Sequence, residues 1–169
     1  KLLIQQASVY SSDLTVDLIN VKNNDGDSVF SIIINNKKFD FFDYICQTQN
    51  PDLNVLIDGK TPLIFKAAKS YDVRLFGLIL KYGSFNINQK FEGETILHCA
   101  CQSSNDPDEK IKLLIKQKDI DVNCTTDKRA LTPLHLVMKR KRLDLVEILL
   151  SLNEKIDINK ENSRHKSPK

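Results

Sequence analysis

Three histidines and four cysteines are the side chains in this chain best suited to metal or nucleophilic chemistry. They are His98, His135 and His165, with Cys46, Cys99, Cys101 and Cys124. A structural zinc site needs paired ligands at short, repeated spacings, and these cysteines do not have them. Cys99 and Cys101 stand two apart in a helical segment, so they point in different directions. A Ser or Cys nucleophile needs a base beside it, and none is spaced for that role. There is no Gly-rich phosphate loop, no His-Glu-x-x-His and no calcium loop. Asp106-Pro107-Asp108-Glu109 is an acidic cluster. It reads as a solvated turn whose carboxylates favour the N-terminus of the helix that follows. The sequence therefore predicts no catalytic residue, no metal ligand and no cofactor. It predicts four reduced thiols, some used as small core residues, in a cytoplasmic or nuclear compartment.

Charge is the other chemical resource. The chain carries +3 overall, unevenly spread: residues 1–90 hold +1, residues 91–126 hold −3 and residues 127–169 hold +5. The positive end centres on Lys139-Arg140-Lys141-Arg142, preceded by Lys128 and Arg129. Six cations brought together would attract an anionic partner and make its binding salt-sensitive. No aromatics interleave with them to offer stacking platforms, so nucleic acid is not the expected partner.

What positions these residues is a repeat. Thr132-Pro133-Leu134-His135 answers Thr95-Ile96-Leu97-His98, Thr61-Pro62-Leu63-Ile64 and Ser28-Val29-Phe30-Ser31, and Ser167-Pro168 stands in the same register. A period of about 33 residues is the mark of a stacked array. Each unit reads as helix, helix, extended finger. Thr132 can cap the first helix with its hydroxyl, and Pro133 suits a first helical position that needs no N–H. Leu134, Leu136, Val137 and Met138 make a short apolar helix, too short to stand alone in water. Leu143–Leu152 is a second helix with an apolar stripe wide enough to need two neighbours, and Lys155–Asn159 alternates as an extended segment does. The same grammar gives Thr61–Ser70, Val73–Tyr82 with Gly83 as a left-handed stop, and an alternating Phe85–Asn88. It gives Thr95–Gln102, a loop over 103–108, Glu109–Lys118 and Ile120–Asn123. It gives Ser28–Asn35 and Phe39–Gln47 as the earliest pair. Before them, Asp17–Val21 reads as a finger, 5–16 as an enlarged loop and Leu2–Ile4 as the end of a helix.

At these residues the chain resembles the ankyrin repeat family. Thr132-Pro133-Leu134-His135, Val146-Glu147-Ile148-Leu149-Leu150 and fingers such as Asp121-Val122-Asn123 carry the resemblance. A tetratricopeptide array has a similar period but no finger between helical pairs, and it has a Trp signal; this chain has no Trp. The resemblance implies an all-α repeat solenoid of helix-turn-helix pairs with projecting β-hairpin fingers. Its boundaries would be a partial repeat at 1–22, full repeats at 23–55, 56–89, 90–126 and 127–159, and the start of another at 160–169. Both ends fall inside the pattern, so the chain reads as a piece of a longer protein. Ala130 and Lys66 depart from the family pattern, Ala130 where a finger Gly is usual and Lys66 where a small buried residue is. The first helix containing Lys66 holds one extra residue. His98 and His135 sit where the family's His is implied to bridge its own repeat to the next.

The implied function is non-catalytic protein–protein interaction, by a monomeric scaffold or adaptor that binds through a concave face and finger tips. The candidate contact residues are Lys128, Arg129, Lys139, Arg140 and Lys141 for charge toward an acidic protein segment, and Phe91 and Ile57 as apolar anchors. Glu92 and Asp58 accompany those anchors at the finger tips. Two alternatives stand beside this: a docking or autoregulatory domain of a larger signalling enzyme, and a peripheral module that meets anionic lipid through the basic end.

Overall fold

A computed structural model describes residues 23–24, 28–57, 59–70, 72–151 and 155–168. The readings of Leu2–Ile4, 5–16 and Asp17–Val21 lie outside the described residues. The chain divides into two compact units, one ending at Leu53 and the other starting at Asn54.

In the first unit, α1 (Val29–Asn35) packs against α2 (Phe39–Gln49). Ser28 caps α1 by accepting from the Ser31 N–H at 3.1 Å. Phe30 and Phe42 bring their rings to 5.2 Å between centroids and bury them. Helix α2 runs two residues past its expected end and stops at Asn50, which takes the left-handed conformation at φ +44°. Asn tolerates that conformation better than most residues.

The second unit is a two-layer stack. The first-helix layer holds α3 (Leu63–Ser70), α5 (Ile96–Gln102) and α7 (Pro133–Lys139). The second-helix layer holds α4 (Val73–Tyr82), α6 (Pro107–Ile115) and α8 (Leu143–Leu150). Each helix packs on its hairpin partner and on the next helix of its own layer. Helix α5 therefore has α3 on one side, α7 on the other and α6 behind it, and every residue from Ile96 to Cys101 is buried. A helix enclosed in this way must be apolar all round, and Ile-Leu-His-Cys-Ala-Cys meets that requirement with one polar member. Helix α3 is eight residues long where α5 and α7 have seven; this is the extra residue expected around Lys66. Two hairpins of two-residue strands project from this unit: β1 (Leu56–Ile57) pairs with β2 (Thr61–Pro62), and β3 (Lys90–Phe91) with β4 (Glu94–Thr95).

Three sequence expectations need correcting. Gly83 is not a left-handed stop: it is extended, at φ −81° and ψ 145°. It is glycine because a Cβ there would run into the Phe85 ring and stand 2.8 Å from the Ile79 carbonyl oxygen. The alternating segments Phe85–Asn88, Ile120–Asn123 and Lys155–Asn159 are not strands. Their Asn and Asp side chains bond to backbone two residues on, as Asn86 Oδ1 does to the Asn88 N–H at 3.0 Å, and likewise Asp121 to Asn123 and Asp157 to Asn159. Local side-chain bonds of this kind compete with strand pairing. The third correction concerns α6, which starts earlier than expected, with Pro107 in its first turn after Asp106 at φ +46°, and ends at Ile115.

A buried lysine was not anticipated. Lys110 on α6 is fully covered, and its Nζ donates to Ser103 Oγ at 3.1 Å. Burial holds its pKa below the ordinary 10.5, against the opposing pull of Asp106 and Asp72. The charged form therefore works against folding at neutral pH, and stability rises as pH climbs through the lowered pKa toward 10.5. Ser103 Oγ also bonds to the Lys69 and Asn105 carbonyls, so losing the lysine would not orphan it. Lys110→Met is expected to raise stability by about 1 kcal/mol at pH 7, read as a higher urea midpoint. An unchanged or lower midpoint contradicts this.

Candidate protein-binding groove

Side chains wire each finger to the next. A carbonyl can only accept, so His98 Nε2–H donates to the Leu131 carbonyl at 2.8 Å. His98 Nδ1 is then the acceptor for the Thr95 N–H at 3.3 Å and the Thr95 hydroxyl at 2.8 Å. His135 repeats this with the Lys166 carbonyl at 2.9 Å and Thr132. Thr132 Oγ1 accepts from the His135 N–H, which completes a capping box. The bridging role that the resemblance implied for these two histidines is thus present atom by atom. The proton that His98 would gain on charging has to go on Nδ1, which faces the Thr95 N–H. Burial and that geometry favour the neutral ring, and its pKa lies below 6.5.

A second ladder runs along the opposite ends of the fingers. Asn88 Nδ2 donates to the Asp119 carbonyl at 2.6 Å, while Asn88 Oδ1 accepts from the Asp121 N–H at 2.8 Å. Asn123 repeats both bonds one unit later, with the Lys155 carbonyl and the Asp157 N–H. Near the tips the Asp127 N–H reaches the Gly93 carbonyl and the Ser163 N–H reaches the Arg129 carbonyl, each at 3.0 Å. Lys90 pairs with Asp127 across the same gap.

These contacts fix three adjoining depressions between finger tips and first helices. The first is lined by Lys66, Lys69, Phe91, Glu92 and Glu94 among others. The second shares Glu92 and Glu94 and adds Gln102, Lys128, Arg129, Leu136 and Lys139. The third shares Arg129 and Lys139 and adds Ser163, Arg164 and Lys166. Joined by their shared lining residues, they form one groove whose charge is balanced in the first depression, mixed with an excess of cations in the second and wholly basic in the third.

Set against this groove, the candidate residues separate. Lys128, Arg129 and Lys139 converge on the second depression, and Glu92 belongs to its rim. Arg140 turns toward α5, donating from Nη1 to the Gln102 carbonyl at 3.0 Å. Lys141 is exposed, with φ +55°. Arg142 is clamped by Asp144 through both Nε and Nη2. The six-cation patch is therefore a three-cation cluster with neighbours facing elsewhere, because α7 ends at Lys139 and the turn that follows, with Lys141 at φ +55°, aims the next side chains apart. Phe91 is half-buried, its ring 5.4 Å from that of Phe65. Ile57 is buried at 7 % exposure, which removes it from the exposed anchors. Asp58 lies outside the described residues. Arg164 and Lys166 were missed. The register that aligns Ser167 with Thr132 would have placed them on a finger tip beside Arg129.

The four cysteines are buried free thiols. Burial pushes Cys99 up to about 12 and Cys124 up to about 11, and it raises Cys101 as well. None of these three is ionised near neutral pH.

The finger that carries Lys128 and Arg129 contains a strained residue. Ala130 has φ +49° where Gly59 and Gly93 have +66° and +81°. An L-residue in that region is held at a cost. Ala130→Gly is expected to raise stability by about 0.5–1 kcal/mol, measured by urea denaturation. A drop instead would show that the Ala methyl contributes packing that outweighs its backbone strain.

Compared with known families, the chain matches the one described as Ankyrin repeats (3 copies), over residues 18–126 and 64–162. No curated protein matches it. Among the described residues, no helix is long and apolar enough to cross a membrane.

Proposed function

The chain belongs to the ankyrin repeat family, and on that premise we propose that it recognises another protein through the groove between its finger tips and first helices. Ankyrin repeats are generally protein-interaction modules and typically non-catalytic. The proposed repeats are those at 23–55, 56–89, 90–126 and 127–159, with partial repeats on either side. The mechanism is rigid presentation. Fingers held by His98, His135, Asn88 and Asn123 lose little conformational entropy on binding, so contact energy goes into affinity. The observation that supports the reading best is the convergence of Lys128 and Arg129, from one finger, with Lys139, from a helix end, on a single depression. Such a cluster favours an acidic protein segment and speeds its encounter.

The test is capture from a lysate of expressing cells by the native chain and by a Lys128→Glu, Arg129→Glu, Lys139→Glu variant of equal stability. All three side chains are exposed, so the fold should survive. A protein retained by the native chain and lost with the variant is the expected result. A partner retained equally by both would move the site away from this cluster.

A further inference from the structure

The third depression is chemically unlike the other two. Arg129, Lys139, Arg164 and Lys166 line it, and no carboxylate does. Among the described residues, none of these four side chains is in an ion pair; the nearest acidic residue in sequence, Glu161, accepts from His165 at 3.1 Å. The finger that carries Arg164 and Lys166 is held in place. The Asn162 side chain accepts from the Arg164 N–H at 2.8 Å, the Ser163 N–H is bonded to the Arg129 carbonyl, and the Lys166 carbonyl is bonded to His135. Four cations are thus set around one recess by a pre-ordered backbone. No carboxylate among the lining residues offsets their mutual repulsion.

A single carboxylate is a poor match for such a recess. It offers one charge, whereas a phosphoryl group offers nearly two, with three acceptor oxygens that two guanidinium groups can engage as forks. Resting on the protein-recognition reading above, we infer that this recess binds a phosphorylated side chain on the partner's segment. The acidic residues flanking that side chain lie along the adjoining depression that contains Lys128. A protein segment is favoured over a membrane because the recess is one end of a continuous groove between fingers and helices. An extended chain can follow that groove, and a flat bilayer cannot.

The experiment uses the whole chain and fluorescent peptides of alternating Glu and Ala around a central phosphoserine, Asp or Ser, titrated at about 0.15 M salt. The phosphoserine peptide is expected to bind about tenfold more tightly than the Asp peptide. In an Arg164→Gln, Lys166→Gln variant that gap should close. These two exposed side chains leave the Lys166 carbonyl bond to His135 intact, and a matching melting curve confirms the fold. Equal binding of all three peptides overturns this inference and leaves the acidic-segment reading standing. Binding of none overturns both. A gap that persists in the variant overturns the assignment to this recess. Stronger binding to phosphatidylcholine vesicles carrying a phosphorylated inositol lipid than to the phosphoserine peptide overturns the choice of a protein ligand.

Discussion

His98→Ala is expected to cost about 3 kcal/mol of stability. The substitution removes one of two bonds to the Leu131 carbonyl, which also accepts from the Thr126 N–H at 2.9 Å, and it removes the acceptor for the N–H of the buried Thr95. Leaving the buried Thr95 N–H without this acceptor costs more than the bond contributes while formed. The ring also fills space in α5, the most enclosed helix of the stack, so a cavity adds to the loss. Because His98 ties one finger to the next, part of the loss should appear as a broader, less cooperative urea transition. A pH effect accompanies it. The folded chain holds the His98 pKa below 6.5. The unfolded chain therefore takes up the proton first, and the stability that depends on the neutral ring is present above pH 6.5 and lost as pH falls through the lowered pKa. In a His98→Gln chain that contribution to the acid-side slope should disappear. A loss under about 1 kcal/mol for the alanine variant would show that the Thr95 N–H finds another partner.

The second large effect is at Gly83. Gly83→Ala is expected to destabilise by about 2 kcal/mol, although φ −81° suits any residue. The methyl would overlap the Phe85 ring and crowd the Ile79 carbonyl, which ends α4 by accepting from the Gly83 N–H. A further Phe85→Leu change should recover part of the loss. Gly59→Ala makes the contrast. Nothing stands within 4 Å of its added Cβ, so its cost is only that of φ +66°, about 1 kcal/mol. The reverse ranking would mean that the Phe85 ring swings aside at little cost.

Sequence legibility followed physical locality. Thr132, Pro133 and His135 could be read because a cap, a first-turn proline and a bridging ring each act within one turn or at the fixed repeat offset. The period-two runs at Phe85–Asn88 and Lys155–Asn159 misled because Asn and Asp alternate with apolar residues there for a different reason, namely to bond their own backbone and the next finger. Gly83 misled because a helix-ending glycine can be required by space as well as by φ. Ile57 and Lys110 could not be read, since their burial depends on what packs over them from distant positions. The charge run was legible as charge but not as direction: Lys139 ends α7 and lines the groove, while the turn after it aims Arg140 toward Gln102 and Arg142 to Asp144. Arg164 and Lys166 were legible in principle. Their place follows from extending the repeat register one step further along the chain.

The groove reading is tested most directly by placing a photo-crosslinking side chain at Lys139, on the groove, and at Glu147, exposed on α8, in otherwise native chains within expressing cells. The Lys139 probe is expected to capture a discrete protein partner that the Glu147 probe does not capture. Capture of that partner from Glu147 with nothing captured from Lys139 would contradict the groove reading and place recognition on the second-helix layer.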